Sequence, residues 1–170
     1  MTTIKKIYLS LSVLFILCGC HKNSDIKKVE FAKSFCFGSC VAAAISIDSA
    51  GNYKLFTDSS LDWNFKGKRP AIRSYTGRIS SDYWNQLTNL LEDADYQNSD
   101  STKRIEIADT QHYEVLIYNS NAKIKLSKLS EIEYTIYRFI DSSAHLVKLK
   151  QIPDTLNFGT TMQINPMLLP

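Results

Sequence analysis

From about residue 29 onward, apolar and polar positions alternate at a period of two or recur at three and four, and this divides the chain into short strands and two helices. Val29 and Phe31 alternate with Glu30 and Ala32 as a first strand. Val41 to Asp48 carries Ile45 and Ile47 on one side of a second strand. Ser49-Ala50-Gly51-Asn52 reads as a hairpin turn, and Tyr53, Leu55 and Thr57 continue the return strand with Lys54 and Phe56 on its other face. Asp58 to Arg69 is polar around Trp63 and Phe65, a loop or irregular edge closed by Gly67-Lys68-Arg69-Pro70, and Ile72 to Ile79 alternates as a further strand. Ser80 or Ser81 caps a helix whose apolar set is Tyr83, Trp84, Leu87, Leu90 and Leu91, running to about Asp95.

The second half repeats the theme. Ile105 to Ile107 reads as a short strand. His112 to Tyr118 and Ala122 to Leu126 flank Asn119-Ser120-Asn121, a second hairpin signal. Ser130 with Glu133 forms a capping box for a helix to Leu149, with Ile132, Ile136, Phe139, Ile140, Ser143, Leu146 and Val147 as its stripe. Pro153, Gly159 and Pro166 break any pattern after Gln151. The expected fold is α+β: an antiparallel or mixed sheet built from hairpins, with two amphipathic helices packed on one face. The expected organisation is 1–19 as a signal, 20–28 as a tether, 29–149 as one domain and 150–170 as an extended tail.

The first residues change the picture. Lys5 and Lys6 precede an uncharged run from Ile7 to Leu17, the order of a secretory signal. Twelve positions separate Lys6 from Gly19, short of the roughly 20 that a spanning helix needs. The run ends Leu17-Cys18-Gly19-Cys20, which resembles the lipobox of bacterial lipoproteins, with Cys18 where alanine or serine is usual. That resemblance implies cleavage before Cys20, acylation of its thiol, and a membrane held through the N-terminal lipid. Lipid chains contribute about 0.8 kcal/mol per buried CH₂, so several on one residue hold a domain at a surface where one would be marginal. His21 is not the aspartate that keeps many enteric lipoproteins in the inner membrane. The expected address is the cell envelope, at the outer membrane.

Charge then excludes one class. The chain has 20 Lys and Arg against 17 Asp and Glu; losing Lys5 and Lys6 leaves 18 against 17, a net +1. No basic stripe of the kind nucleic-acid binders carry is present. Of four cysteines, Cys18 leaves with the signal and Cys20 takes the lipid, which strands Cys36 and Cys40 together in an oxidising compartment. Gly38 lets the loop between them reverse. A structural disulfide, a redox dithiol, a Cu(I) site and an unpaired pair all remain open for them.

With Cys36-Phe37-Gly38-Ser39-Cys40 ahead of hairpin, strand, helix, hairpin and helix, the chain resembles a bacterial family known as domain of unknown function 6438, over about Val29 to Leu149. The family opens Cys-Phe-Gly-x-Cys-Pro-x-Tyr; here Val41 replaces the proline and Ala43 the tyrosine. The resemblance implies exported or lipidated proteins and supplies no reaction.

Candidate chemistry is sparse. His21, His112 and His145 have no metal-type spacing with another ligand. There is no Gly-x-Ser-x-Gly elbow and no phosphate-binding glycine loop. The acids at Glu92, Asp93 and Asp95 sit at a helix end, where they read as a solvated face. No cofactor and no catalytic residue are expected. Two readings result: a non-enzymatic binding or structural lipoprotein anchored by Cys20, with an envelope protein as partner, or a thiol-redox or Cu(I)-handling protein working through Cys36 and Cys40. The element after Cys40 separates them, since a strand favours the first and a helix the second.

Overall fold

The computed structural model describes residues 24–34, 40–57, 73–98, 111–126, 131–153 and 156–160. The signal with Cys20 and His21, the loop from Phe35 to Ser39 with Cys36, the polar stretch from Asp58 to Pro70, the Ile105–Ile107 strand and the Ser130 cap lie outside them. Among the described residues, seven strands form one open sheet: β1 (Ile26–Lys33), β2 (Ala43–Asp48), β3 (Asn52–Thr57), β4 (Arg73–Arg78), β5 (Tyr113–Asn119), β6 (Lys123–Leu126) and β7 (Lys150–Ile152). Their order is β6-β5-β1-β2-β3-β4-β7, and every paired neighbour is antiparallel. The α-helices among the described residues are α1 (Ser81–Asp93) and α2 (Glu131–Ser142), and with the sheet they make an α+β fold.

Register is set by alternation, because a slip of one residue would turn every apolar side chain to the wrong face. Val29 pairs with Ile47 and Ile117, and Phe31 with Ile45 and Val115. These residues form one core with Tyr53, Leu55 and Tyr75 and with Leu87, Leu91, Ile136, Tyr137 and Ile140 of the helices. The β2-β3 turn forms where its residues predict: Gly51 has φ +78, a conformation glycine adopts without cost, and Asp48 Oδ1 accepts from the Ala50 and Asn52 amides at 3.0 Å each.

Helix α1 starts where a capping serine allows. Ser80 is extended, and its Oγ accepts from the Tyr83 amide at 3.1 Å. This satisfies a donor that has no partner inside the helix. Ser80→Ala should lower stability by about 1 kcal/mol, measured by urea unfolding, while Ser81→Ala should change it much less. Leu87 and Leu91 are fully buried, as the stripe requires.

Three boundaries and one helix face differ from expectation. β1 begins at Ile26, inside the stretch read as tether, because Ile26 is buried and pairs with Asn119 on β5. The second helix stops at Ser142 and passes into a tighter turn over Ser143–His145, well short of Leu149. Ser143 Oγ donates to Ile140 O at 2.5 Å and lies 2.9 Å from the Tyr53 hydroxyl, so a buried polar pair ends the helix. Leu146, expected on the stripe, is consequently 71% exposed. Phe139 is only partly buried and stacks on Tyr83 of α1 at 4.6 Å, while Tyr137, absent from the expected stripe, is buried beside Phe31 at 6.2 Å. Finally, the stretch read as tail contributes β7, which pairs with Ser74–Thr76.

Gly77 of β4 lies where the chain leaving α2 crosses the strand. A Cβ there would overlap the Val147 side chain and come within 3.2 Å of Lys148 O.

Candidate functional site

Among the residues singled out from the sequence, Cys40 is half-buried in the coil that leads into β2. The two ends of the cysteine loop are tied together from outside it. The Gln111 side-chain amide donates to both Ser34 O and Val41 O at 2.9 Å, and the Tyr113 hydroxyl donates to Gln111 Oε1 at 3.0 Å, fixing which way the amide points. Ser34 also donates its amide to His112 O at 2.9 Å and accepts from the His112 amide at 3.0 Å. His112 is exposed at the start of β5, and His145 is exposed beyond α2. Among the described residues no group of three His, Cys, Asp or Glu is placed to hold a metal ion.

A second cluster lies on the opposite face of the sheet, and it is where charge is buried. Alternation that turns Val29 and Phe31 to the core turns Lys28, Glu30 and Ala32 the other way, together with Glu114, Leu116 and Tyr118 of β5. Glu30 and Glu114 are 4% and 2% exposed, and as diagonal neighbours on adjacent strands they stand about 7 Å apart by sheet geometry. Two carboxylates so placed repel unless donors surround them. Here they do. Glu30 Oε1 takes the Lys28 ammonium at 2.9 Å, and its Oε2 accepts from the Tyr118 hydroxyl at 2.8 Å and the Gly159 amide at 2.7 Å. Glu114 pairs with Lys125 and accepts from the Thr160 hydroxyl. The Lys28 ammonium sits 3.8 Å from the Tyr118 ring centroid, and Lys123 donates to Gly159 O at 2.8 Å.

The C-terminal segment therefore closes the cluster. Phe158 packs on Ala32, Ala44 and Phe56, a shallow trough left by two small residues. Gly159 comes next because a Cβ there would overlap the Tyr118 hydroxyl and approach Glu30 Oε2 to 2.8 Å. Burial, then the adjacent Glu30 carboxylate, push the Tyr118 hydroxyl well above its ordinary range, so it remains a donor at any neutral or moderately alkaline pH.

Every donor and acceptor named at this cluster is satisfied within the chain, so the cluster ties the C-terminal segment to the sheet. No described helix is long and apolar enough to cross a membrane. The architecture defines a class: an open antiparallel α+β sheet carrying two helices, with a buried acidic pair beneath its own C-terminal segment. Residues 27–141 match the family described as domain of unknown function (DUF6438), and the chain belongs to that family. A search of curated proteins finds no match. The matched span contains Glu30 and Glu114 but stops short of Gly159 and Thr160.

Sequence reading placed no site at this cluster. The available signals were single acids inside apolar strands, Val29-Glu30-Phe31 and Tyr113-Glu114-Val115, and a Lys123-Ile124-Lys125 alternation facing them.

Proposed function

We propose that the protein is an envelope lipoprotein, held at a membrane surface by lipid on Cys20, whose domain is a non-enzymatic binding or structural module. The observation that carries this reading is the strand after Cys40: the chain leads directly into β2 at Ala43, whereas a thiol-redox site of thioredoxin type would place a helix there. Cys36 and Cys40 then form a structural disulfide whose loop is clamped at its neck by Gln111, not an exchange site. Both helices cover the Val29 and Phe31 face, which leaves the Glu30 face to the C-terminal segment.

The position of the first described residues fits the anchor. Ser24 donates to Glu92 at 3.1 Å, and Asp25 accepts from Tyr96 at 3.0 Å. Five residues separate Cys20 from Ile26, a reach of about 20 Å when fully extended. The end of α1 with Glu92 and Tyr96 thus faces the membrane, and the domain is carried close to it.

Mass spectrometry of the protein extracted from its own membranes tests the reading. The mature N-terminus should be a diacylglyceryl cysteine at position 20, and Cys20→Ala should leave an unprocessed or unanchored chain. A retained signal, or cleavage elsewhere with release, overturns it. A pull-down of the lipidated form should then recover the envelope partner.

A further inference from the structure

Charge is segregated in this chain although the whole is close to neutral. Cross-strand pairing sets the side chains of the helix-free face in rows. The row nearest the start of β1 joins Lys123, Tyr118 and Lys28 and ends on Arg78 of β4. The next takes one residue from each strand between β6 and β7, and includes Lys125, Glu30, Lys54 and Lys150. Among the described residues, six cations thus stand on this face against Glu30, Asp48 and Glu114. Two of those acids are buried and already held, and Asp48 closes the β2-β3 turn. Lys54, Arg78, Lys123 and Lys150 are exposed. Helix α1, packed on the other side of the sheet, has Asp82, Glu92 and Asp93 and no lysine or arginine.

From β6 to β7 is six strand spacings, about 29 Å at about 4.8 Å each. Cations spread so widely over a sheet match an extended negative surface better than a compact anion. The start of β1 says which surface is in reach, because the first row lies at the end of the sheet where the tether from Cys20 arrives. Held at that end, the domain can lean to either broad side. Negative headgroups repel the acids of α1 and attract the opposite face, each cation close to an anionic leaflet strengthening the contact by about fivefold. Acyl chains on Cys20 supply retention, and the cations then supply orientation.

We propose that the helix-free face, through Lys28, Lys54, Arg78, Lys123 and Lys150, is a docking surface for anionic lipid headgroups and turns α1 and α2 away from the membrane. The choice of surface rests on the lipid anchor at Cys20, and the partner is the leaflet that holds that lipid.

The test uses the purified full-length chain reconstituted into vesicles of phosphatidylcholine alone or of phosphatidylcholine with phosphatidylglycerol. Flotation with the neutral vesicles reads the lipid on Cys20 by itself. A water-soluble amine-acylating reagent, followed by peptide mass spectrometry, then reads each lysine. Lys54, Lys123 and Lys150 should react severalfold more slowly on the anionic vesicles than on the neutral ones, and about 0.5 M salt should restore their rates. Lys33, at the far end of β1 and paired with Asp141 of α2, should react alike on both. Lys54→Glu combined with Lys150→Glu alters only exposed side chains and should remove the protection of Lys123. Equal rates at the face lysines on the two vesicles overturn the proposal, and so does protection that neither salt nor the double substitution reverses. Protection by soluble polyglutamate in detergent, with none on anionic vesicles, assigns the face to an acidic protein and overturns it too. A chain that fails to float with neutral vesicles sinks the anchor reading alone. Salt-sensitive flotation with the anionic vesicles then decides the face, and its absence overturns the proposal.

Discussion

Replacing Glu30 by alanine should lower the unfolding free energy by about 3 kcal/mol or more, enough to lose a large part of a small domain's stability. The carboxylate is 4% exposed and is the shared acceptor of Lys28, Tyr118 and the Gly159 amide. Lys28 is partly exposed and can turn to water, so its share of the loss is modest. The Tyr118 hydroxyl and the Gly159 amide are half-buried, so water replaces the lost acceptor only in part, against a cost of about 1 to 3 kcal/mol for a donor left fully without one. Glu30→Gln keeps an acceptor oxygen for one of them and should lose roughly half as much. Urea denaturation of the two variants beside the parent checks the ordering. Equal losses would mean that the ion pair with Lys28, not the acceptance of the two donors, is what the position supplies.

Stability should also fall steeply above about pH 10, where tyrosine in an unfolded chain begins to ionise. Burial pushes the hydroxyls of Tyr53 and Tyr137 well above the ordinary tyrosine range, and the same holds for Tyr83 and Tyr118. The sign comes from proton counts: above pH 10 the folded chain holds protons that the unfolded chain has released, so unfolding is favoured as pH rises. The stabilisation is complete below the unfolded value and is lost on the way up to the folded one. Tyr53 and Tyr137, 1% and 3% exposed, together give a slope of about 2.7 kcal/mol per pH unit once the unfolded groups are ionised. Denaturation curves at pH 8 to 11, read beside phenolate absorbance of the native protein, should show stability lost while part of the tyrosine complement, which includes the exposed Tyr134, still fails to ionise. Ionisation of all the tyrosines in the native protein, with stability intact, would contradict the burial of these rings.

Both expectations rest on parts of the molecule that were unequally legible in the sequence. Period two placed Val29, Phe31, Ile45, Ile47, Tyr53 and Leu55 on strands, and the structure puts them in one core. Gly51 and the Ser80 cap were legible because each is a local device, decided by one residue's backbone freedom or one side chain's reach. The start of β1 was not, because Ile26-Lys27-Lys28 looks like solvated linker until Lys28 has Glu30 and the Tyr118 ring to face. The end of α2 was hidden for a related reason. Ser143 and Leu146 fit a helical period, but the buried contact between Tyr53 and Ser143 joins residues 90 positions apart, and no window of the chain contains both. The acidic cluster is the extreme case, since the Gly159 amide reaches Glu30 across 129 positions. Its Phe158-Gly159-Thr160 reads as patternless tail until the face it lies on exists.

The notch at Gly77 has a consequence for how the protein behaves at high concentration. It lets the chain pass low over β4 and return as β7, a three-residue strand that occupies the hydrogen-bonding edge of β4 at Ser74–Thr76. The opposite edge is β6, short and studded with Lys123 and Lys125, a pattern that discourages a neighbouring strand from adding on. One rim of the sheet is thus protected by charge and the other by a piece of backbone whose placement depends on a missing side chain. Filling that notch would lift the returning chain and lay bare a strand of unpaired amides and carbonyls, turning a guarded rim into a template for fibrous aggregation.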